Sequence, residues 1–122
     1  MVVAIIAILA AVAFPSYQNS LIKGRRVAAK AFLMEVVQKE QQFLLDNRSY
    51  ADTTALTTAG VKVPPEVSRF YDWAATPDAG PPPTFTVRVT PKAGTRQDGD
   101  GWMEINEAGA KSAEFPGKTD WK

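Results

Sequence analysis

The sequence predicts an α+β protein, a long N-terminal helix whose C-terminal half packs on a small antiparallel sheet. Three observations carry this. Residues Met1 to Phe14 are all apolar; Arg25 to Leu45 repeat apolar residues at helical spacing; and beyond residue 68 short alternating runs are separated by Gly- and Pro-rich turns.

The first run sets the solvent question. An apolar helix ending at Phe14 spans roughly 20 Å at about 1.5 Å per residue, short of the ~30 Å hydrocarbon core of a bilayer. Ser16, Gln18, Asn19 and Lys23 then turn the chain polar. A secretory signal is one reading, with Ala11-Val12-Ala13 as its cleavage site, but no basic segment precedes the run. Lipid, or other copies of the same rod, are the two environments that suit a retained segment. Pro15 lacks an amide hydrogen and clashes with the preceding turn, so a kink or local opening is expected there, and Gly24 is a second soft point costing about 1 kcal/mol relative to Ala.

From Arg25 to Leu45, Ala28, Phe32, Val36 and Phe43 fall near one face, with Ala29, Leu33, Val37 and Leu44 beside them, a stripe wide enough to cover a sheet. Lys23, Arg25, Arg26 and Lys30 cluster just after the rod. Such a run reads as a solvated face, or as one that meets acidic residues of a neighbouring subunit. Asp46-Asn47 ends the pattern. Residues 48–68 read as an irregular connection with one helical piece over Thr53 to Thr58, pinned to the core by Tyr50 and Leu56. Strands are expected over Arg69 to Ala75, Thr84 to Thr90, Trp102 to Asn106 and Ala110 to Ser112. The second is the clearest, with Phe85, Val87 and Val89 on one face and Thr84, Thr86, Arg88 and Thr90 on the other. The tail from Ala113 to Lys122 shows no period and is expected to be held by Phe115 and Trp121.

Composition narrows the chemistry. The 122 residues carry 14 basic and 13 acidic side chains, a net charge of +1, so no global field points to a nucleic-acid partner. With no histidine and no cysteine there is no His-based catalytic dyad, no thiol nucleophile and none of the commonest zinc ligands. The glycines lack phosphate-loop spacing, and Asp98 to Gly101, DGDG, is too short for an EF-hand loop. Glu104, Asp100 and Asp120 suggest no cleft for paired-carboxylate hydrolysis. Neither an enzyme nor a cofactor or metal site is expected.

Four blocks, VVAIIAILAAVAFPSYQ, QQFLLDNRSYADTTAL, GPPPTFTVRVTP and INEAGAKS with a Trp near the end, stand in the order found in type IV pilins, and the chain resembles their PilE-like branch over nearly its whole length. The resemblance implies the pilin fold. Residues 1–24 would form the hydrophobic helix of the membrane and filament core. Residues 25–122 would form the head: amphipathic helix 25–45, αβ loop 46–68, then sheet and tail 69–122. Met1, Val2, Val3, Ile5, Ile6, Ile8, Leu9, Val12 and Phe14 would lie in the filament core, and Pro15 and Gly24 would mark a segment that kinks or melts on assembly. It implies a single-pass inner-membrane subunit that polymerises, with the pilus assembly machinery, into an extracellular helical filament of identical copies; adhesion, motility or DNA uptake would belong to the filament. A minor pilin, a type II secretion pseudopilin and a membrane-tethered binding domain that never polymerises are the alternatives. Two family features are not in this sequence: the leader with the methylated Phe and fifth-position Glu expected before Met1, and the C-terminal disulfide, where Asp100 and Asp120 stand at the expected cysteine positions. There the two carboxylates would share a Lys, an Arg or a cation, or the loop would be repacked.

Overall fold

The computed structural model describes residues 1–114, the side chains of Pro15, Ser16 and Asn19 excepted. Helix α1 runs from Val2–Asn47 without interruption, past both Pro15 and Gly24. It stops where Arg48 takes the left-handed conformation (φ 58°) and donates its N–H to the Leu44 carbonyl at 2.7 Å, a C-terminal cap more often made by Gly.

The connection that follows holds two short helices. Asp52 caps α2 (Thr53–Thr58) by accepting the Ala55 N–H at 2.8 Å, and Leu56 is buried beneath it. The second, α3 (Pro65–Ser68), was not expected from sequence; Pro65 at its first position has φ preset for a helix and no amide hydrogen to leave unpaired. Arg69 and Phe70 close this turn, so strand β1 (Tyr71–Asp78) starts two residues later than predicted and ends three later. It tolerates Pro77 because it is an edge strand.

Strands β2 (Thr84–Pro91), β3 (Met103–Asn106) and β4 (Lys111–Ala113) complete a meander in the order β1-β2-β3-β4, each antiparallel to the one before. Val87 lies opposite Ala75 on one side and Ile105 on the other, so the alternation in β2 continues across the sheet. In the β1–β2 turn, Gly80 has φ 39°, and a side chain there would run into the Pro82 carbonyl.

The inner face of the sheet, with Tyr71, Ala75, Phe85, Val87, Val89, Met103 and Ile105, packs on Ala29, Phe32, Leu33 and Val36 of α1. Phe32 meets Trp73 edge to face at 5.2 Å between centroids, and Tyr50 of the connection meets Phe85 at 4.6 Å. At roughly 1.5 to 3 kcal/mol for each large apolar side chain withdrawn from water, this layer supplies most of the drive to fold the head.

Candidate functional site

Two features of α1 matter: a first half with nothing packed on it, and a second half clamped to the head. Apolar residues alone, mostly Ala, Ile, Leu and Val, fill Val2 to Phe14, so this part of the helix leaves no polar side chain outward. All nine residues expected in a filament core are exposed in the single chain, from 58% at Ile5 to fully at Met1. The residues that follow Phe14 are polar and Tyr17 is exposed, so the apolar surface ends within one turn. Among the described residues no helix is long and apolar enough to cross a membrane.

Exposed apolar residues also continue on the outer side of the second half. Leu9, Val27 and Leu45 are spaced by eighteen residues, five turns at 3.6 residues each, and Met34 lies within about 20° of the same line. Val27, Met34 and Leu45 are exposed, on the side of α1 away from the sheet.

The clamp sits just beyond the rod. Arg26 donates from Nε to Asp100 Oδ2 at 3.0 Å and from Nη2 to Asp100 Oδ1, a two-pronged pair between α1 and the β2–β3 loop. Gln97 is wholly buried, and its Nε2 lies 3.0 Å from the Ile22 carbonyl, 2.9 Å from Tyr71 Oη and 3.1 Å from Asp100 Oδ2, three acceptors sharing its two N–H groups. Three acceptors around one nitrogen fix the orientation of the amide and leave Gln97 Oε1 buried without a hydrogen bond among the described residues. Burial, more than the neighbouring Asp100, pushes the Tyr71 phenol up to about 12, while the hydrogen bond from Gln97 opposes the rise. Beside this group Arg25 lies flat on Phe70, 3.8 Å from the ring centre. The expectation that Lys23, Arg25, Arg26 and Lys30 form a solvated or intersubunit face is therefore corrected for two of them. Arg25 and Arg26 are half-buried against their own head, because Asp100 and Phe70 are brought to them by the loop and by the start of β1.

Of the two carboxylates expected at the cysteine positions, Asp120 lies outside the described residues, as do Phe115 and Trp121. Asp100 takes Arg26 as its cation.

Glu40 is the residue that sequence reading missed. It occupies the sheet-facing side of α1 and is completely buried; one oxygen accepts the Ala51 N–H at 2.7 Å and the other has no hydrogen-bond partner among the described residues. Burial raises its pKa above the ordinary 4.5, the Ala51 hydrogen bond opposes this and the charge of Asp52 adds to it. The only sequence signal was position, since Glu40 falls one helical turn after Val36 on the buried stripe.

An open groove of about 470 Å³ lies between Pro91, Asp98, Trp102 and Glu114. No nucleophile with a neighbouring base lines it, and among the described residues no group of three or more His, Cys, Asp or Glu side chains is placed to hold a metal.

A family model described as type IV minor pilin ComP, DNA uptake sequence receptor, matches residues 15–101. The chain belongs to this family. The match covers the clamp, the second half of α1 and most of the sheet, and the long helix on a four-stranded antiparallel sheet agrees with a pilin fold. Neither the curated proteins nor the solved structures provide a match. Membership of a pilin family implies a structural pilus protein. The DNA-receptor role belongs to the description of the family; the net charge of +1 does not point to it.

Proposed function

We propose that this pilin is a structural subunit of a type IV pilus, held in the inner membrane by its rod before assembly and then built into a helical filament through the same rod. The observation that carries the proposal is the apolar surface of α1, exposed from Met1 to Phe14, with Val27, Met34 and Leu45 exposed farther along on the side away from the sheet. A soluble monomer would pay to hydrate that surface at about 25 cal/mol per Å², whereas parallel copies of the rod would bury it. Staggered head-to-tail packing of this kind does not close and so yields a filament. The family match favours a minor component within such a pilus over the main subunit. The opening expected at Pro15 and Gly24 belongs in this reading to the assembled state, because α1 is continuous in the single chain.

The test is Ile8→Asp. An unpaired carboxylate in a dry helix bundle has neither water nor a partner, so incorporation of the variant into sheared pili should fall below detection while its head keeps the wild-type unfolding midpoint. Normal incorporation would refute the rod as the assembly element.

A second reading, that the subunit binds DNA in the pilus, is favoured by the family description over residues 15–101. Binding of a short duplex that weakens steeply with salt, the signature of phosphate contacts, would support it. Duplex binding no tighter than that of an unrelated pilin would sink it.

A further inference from the structure

The end of the head from which the rod emerges gathers most of the cations that the structure brings together. Lys23, Arg25 and Arg26 stand on α1. Arg69 precedes Phe70, the ring under Arg25; Lys92 donates its N–H to the Phe70 carbonyl at 2.8 Å; and Arg96 precedes Gln97, which holds the Ile22 carbonyl. Four carboxylates belong to the same end. Asp100 is taken by Arg26, Asp72 lies 3.8 Å from Lys92, Asp98 accepts the Gly94 N–H at 3.1 Å, and Glu114 lines the groove beside Pro91 and Asp98. Six cations against four anions leave this end positive by two in a chain whose net charge is only +1.

We propose that this collar is a seat for the anionic lipid headgroups of the bilayer that holds the rod. The inference rests on the membrane-held state proposed above and adds to it a surface and a lipid class. Position argues for it. Tyr17, exposed and the first aromatic ring after Phe14, suits the boundary between hydrocarbon and headgroups. Lys23 follows six residues later, roughly 9 Å along the helix axis, where the headgroup layer, about 5 to 7 Å thick per leaflet, gives way to water. Arg25, Arg69, Lys92 and Arg96 lie at or just above that level, within a screening length of about 10 Å at 0.1 M salt. The Lys and Arg side chains at the lower edge are long enough to reach down to phosphate.

With roughly a fivefold gain for each cation near an anionic surface, a net of two charges should favour the seated head by about thirtyfold over its state on neutral lipid. The full chain has no cysteine, so Ala93→Cys, at an exposed position in the β2–β3 loop, gives one dye site. The labelled chain is placed in nanodiscs of phosphatidylcholine alone or with 30 mol% phosphatidylglycerol, each carrying a paramagnetic headgroup lipid as quencher. The expected result is strong quenching on the anionic discs at 0.1 M salt, weak quenching on the neutral discs, and loss of the difference at 1 M. Arg69→Gln with Arg96→Gln, both exposed and outside the core, should lower the ratio of seated to free heads roughly thirtyfold on anionic discs and leave the neutral discs unchanged. Incorporation with equal quenching on both lipids would overturn the collar while leaving the rod in the membrane. Failure to enter either disc would overturn the membrane-held state and the collar with it. Equal quenching combined with loss of duplex binding in the double variant would reassign the collar to nucleic acid.

Discussion

Replacing Asp100 with Ala removes both acceptors of the Arg26 pair and one of the three around Gln97. Only 8% of the Asp100 side chain and 24% of that of Arg26 are exposed, so the pair is largely withdrawn from water. Deleting one member of a fully buried pair costs about 3 to 5 kcal/mol, because the remaining charge is stranded. A surface pair is worth about 0 to 1 kcal/mol. The residual access of Arg26 to water puts this case between the two, at about 2 kcal/mol. In a domain of about 100 residues that corresponds to a fall in Tm of roughly 8 to 16 °C. The assay is urea unfolding in nonionic detergent followed by Trp fluorescence, in which Trp73 reports the helix–sheet contact through its packing on Phe32. Arg26→Met in the Asp100→Ala background should recover part of the loss, since no stranded charge is left, and the coupling between the two changes should exceed about 1 kcal/mol. A loss for Asp100→Ala under about 0.5 kcal/mol, or strict additivity of the two changes, would refute the clamp as a source of stability.

Glu40→Gln should preserve the hydrogen bond from Ala51 and raise stability at neutral pH. Because the folded carboxyl holds its proton above the ordinary value of 4.5, the wild-type head should gain stability as pH falls through the region just above 4.5; unfolding midpoints across that region should climb in the wild type and stay level in the variant. At the alkaline end, the Tyr71 phenol, ordinarily near 10 and held at about 12 in the fold, supports stability that is complete below pH 10 and lost as pH rises to about 12. The loss is on the order of 2 to 3 kcal/mol, and Tyr71→Phe should abolish that slope; an unchanged slope would assign the alkaline loss to other groups.

Periodicity carried most of the fold into view. The apolar stripe from Ala28 to Val37 and the alternation of Phe85, Val87 and Val89 both report burial against one face, and both are buried where expected. The helix Thr53–Thr58 was legible from the Gly60 that ends it, while the Asp52 cap became visible only in the structure. What escaped is what periodicity does not encode. Pro64-Pro65 reads as a break until Pro65 is seen as the first residue of α3, and Pro77 reads as a strand end until β1 is known to lie at the sheet edge. The clamp was less legible still. Asp100 was singled out at an expected cysteine position and a Lys, Arg or cation was named as its partner, but not that the partner is Arg26, 74 residues earlier, and Gln97 carried no signal at all. Glu40 looks like any helix-surface glutamate until the connection delivers the Ala51 N–H to it.

The meander has a consequence for the order in which the head assembles. Each strand pairs with its predecessor in sequence, so the sheet can close through short loops at little entropic cost. The links that bring Ile22 and Arg26 to Gln97 and Asp100 must instead close loops of 75 and 74 residues. Contacts of such long range, made by a few polar side chains, belong to the late stages of folding, after hairpins and apolar collapse have set the topology. Loosening the clamp should therefore leave the folding rate nearly unchanged and appear almost entirely as faster unfolding. The grip at the base of the head thus acts chiefly as a brake on opening, and it governs lifetime more than the speed of formation.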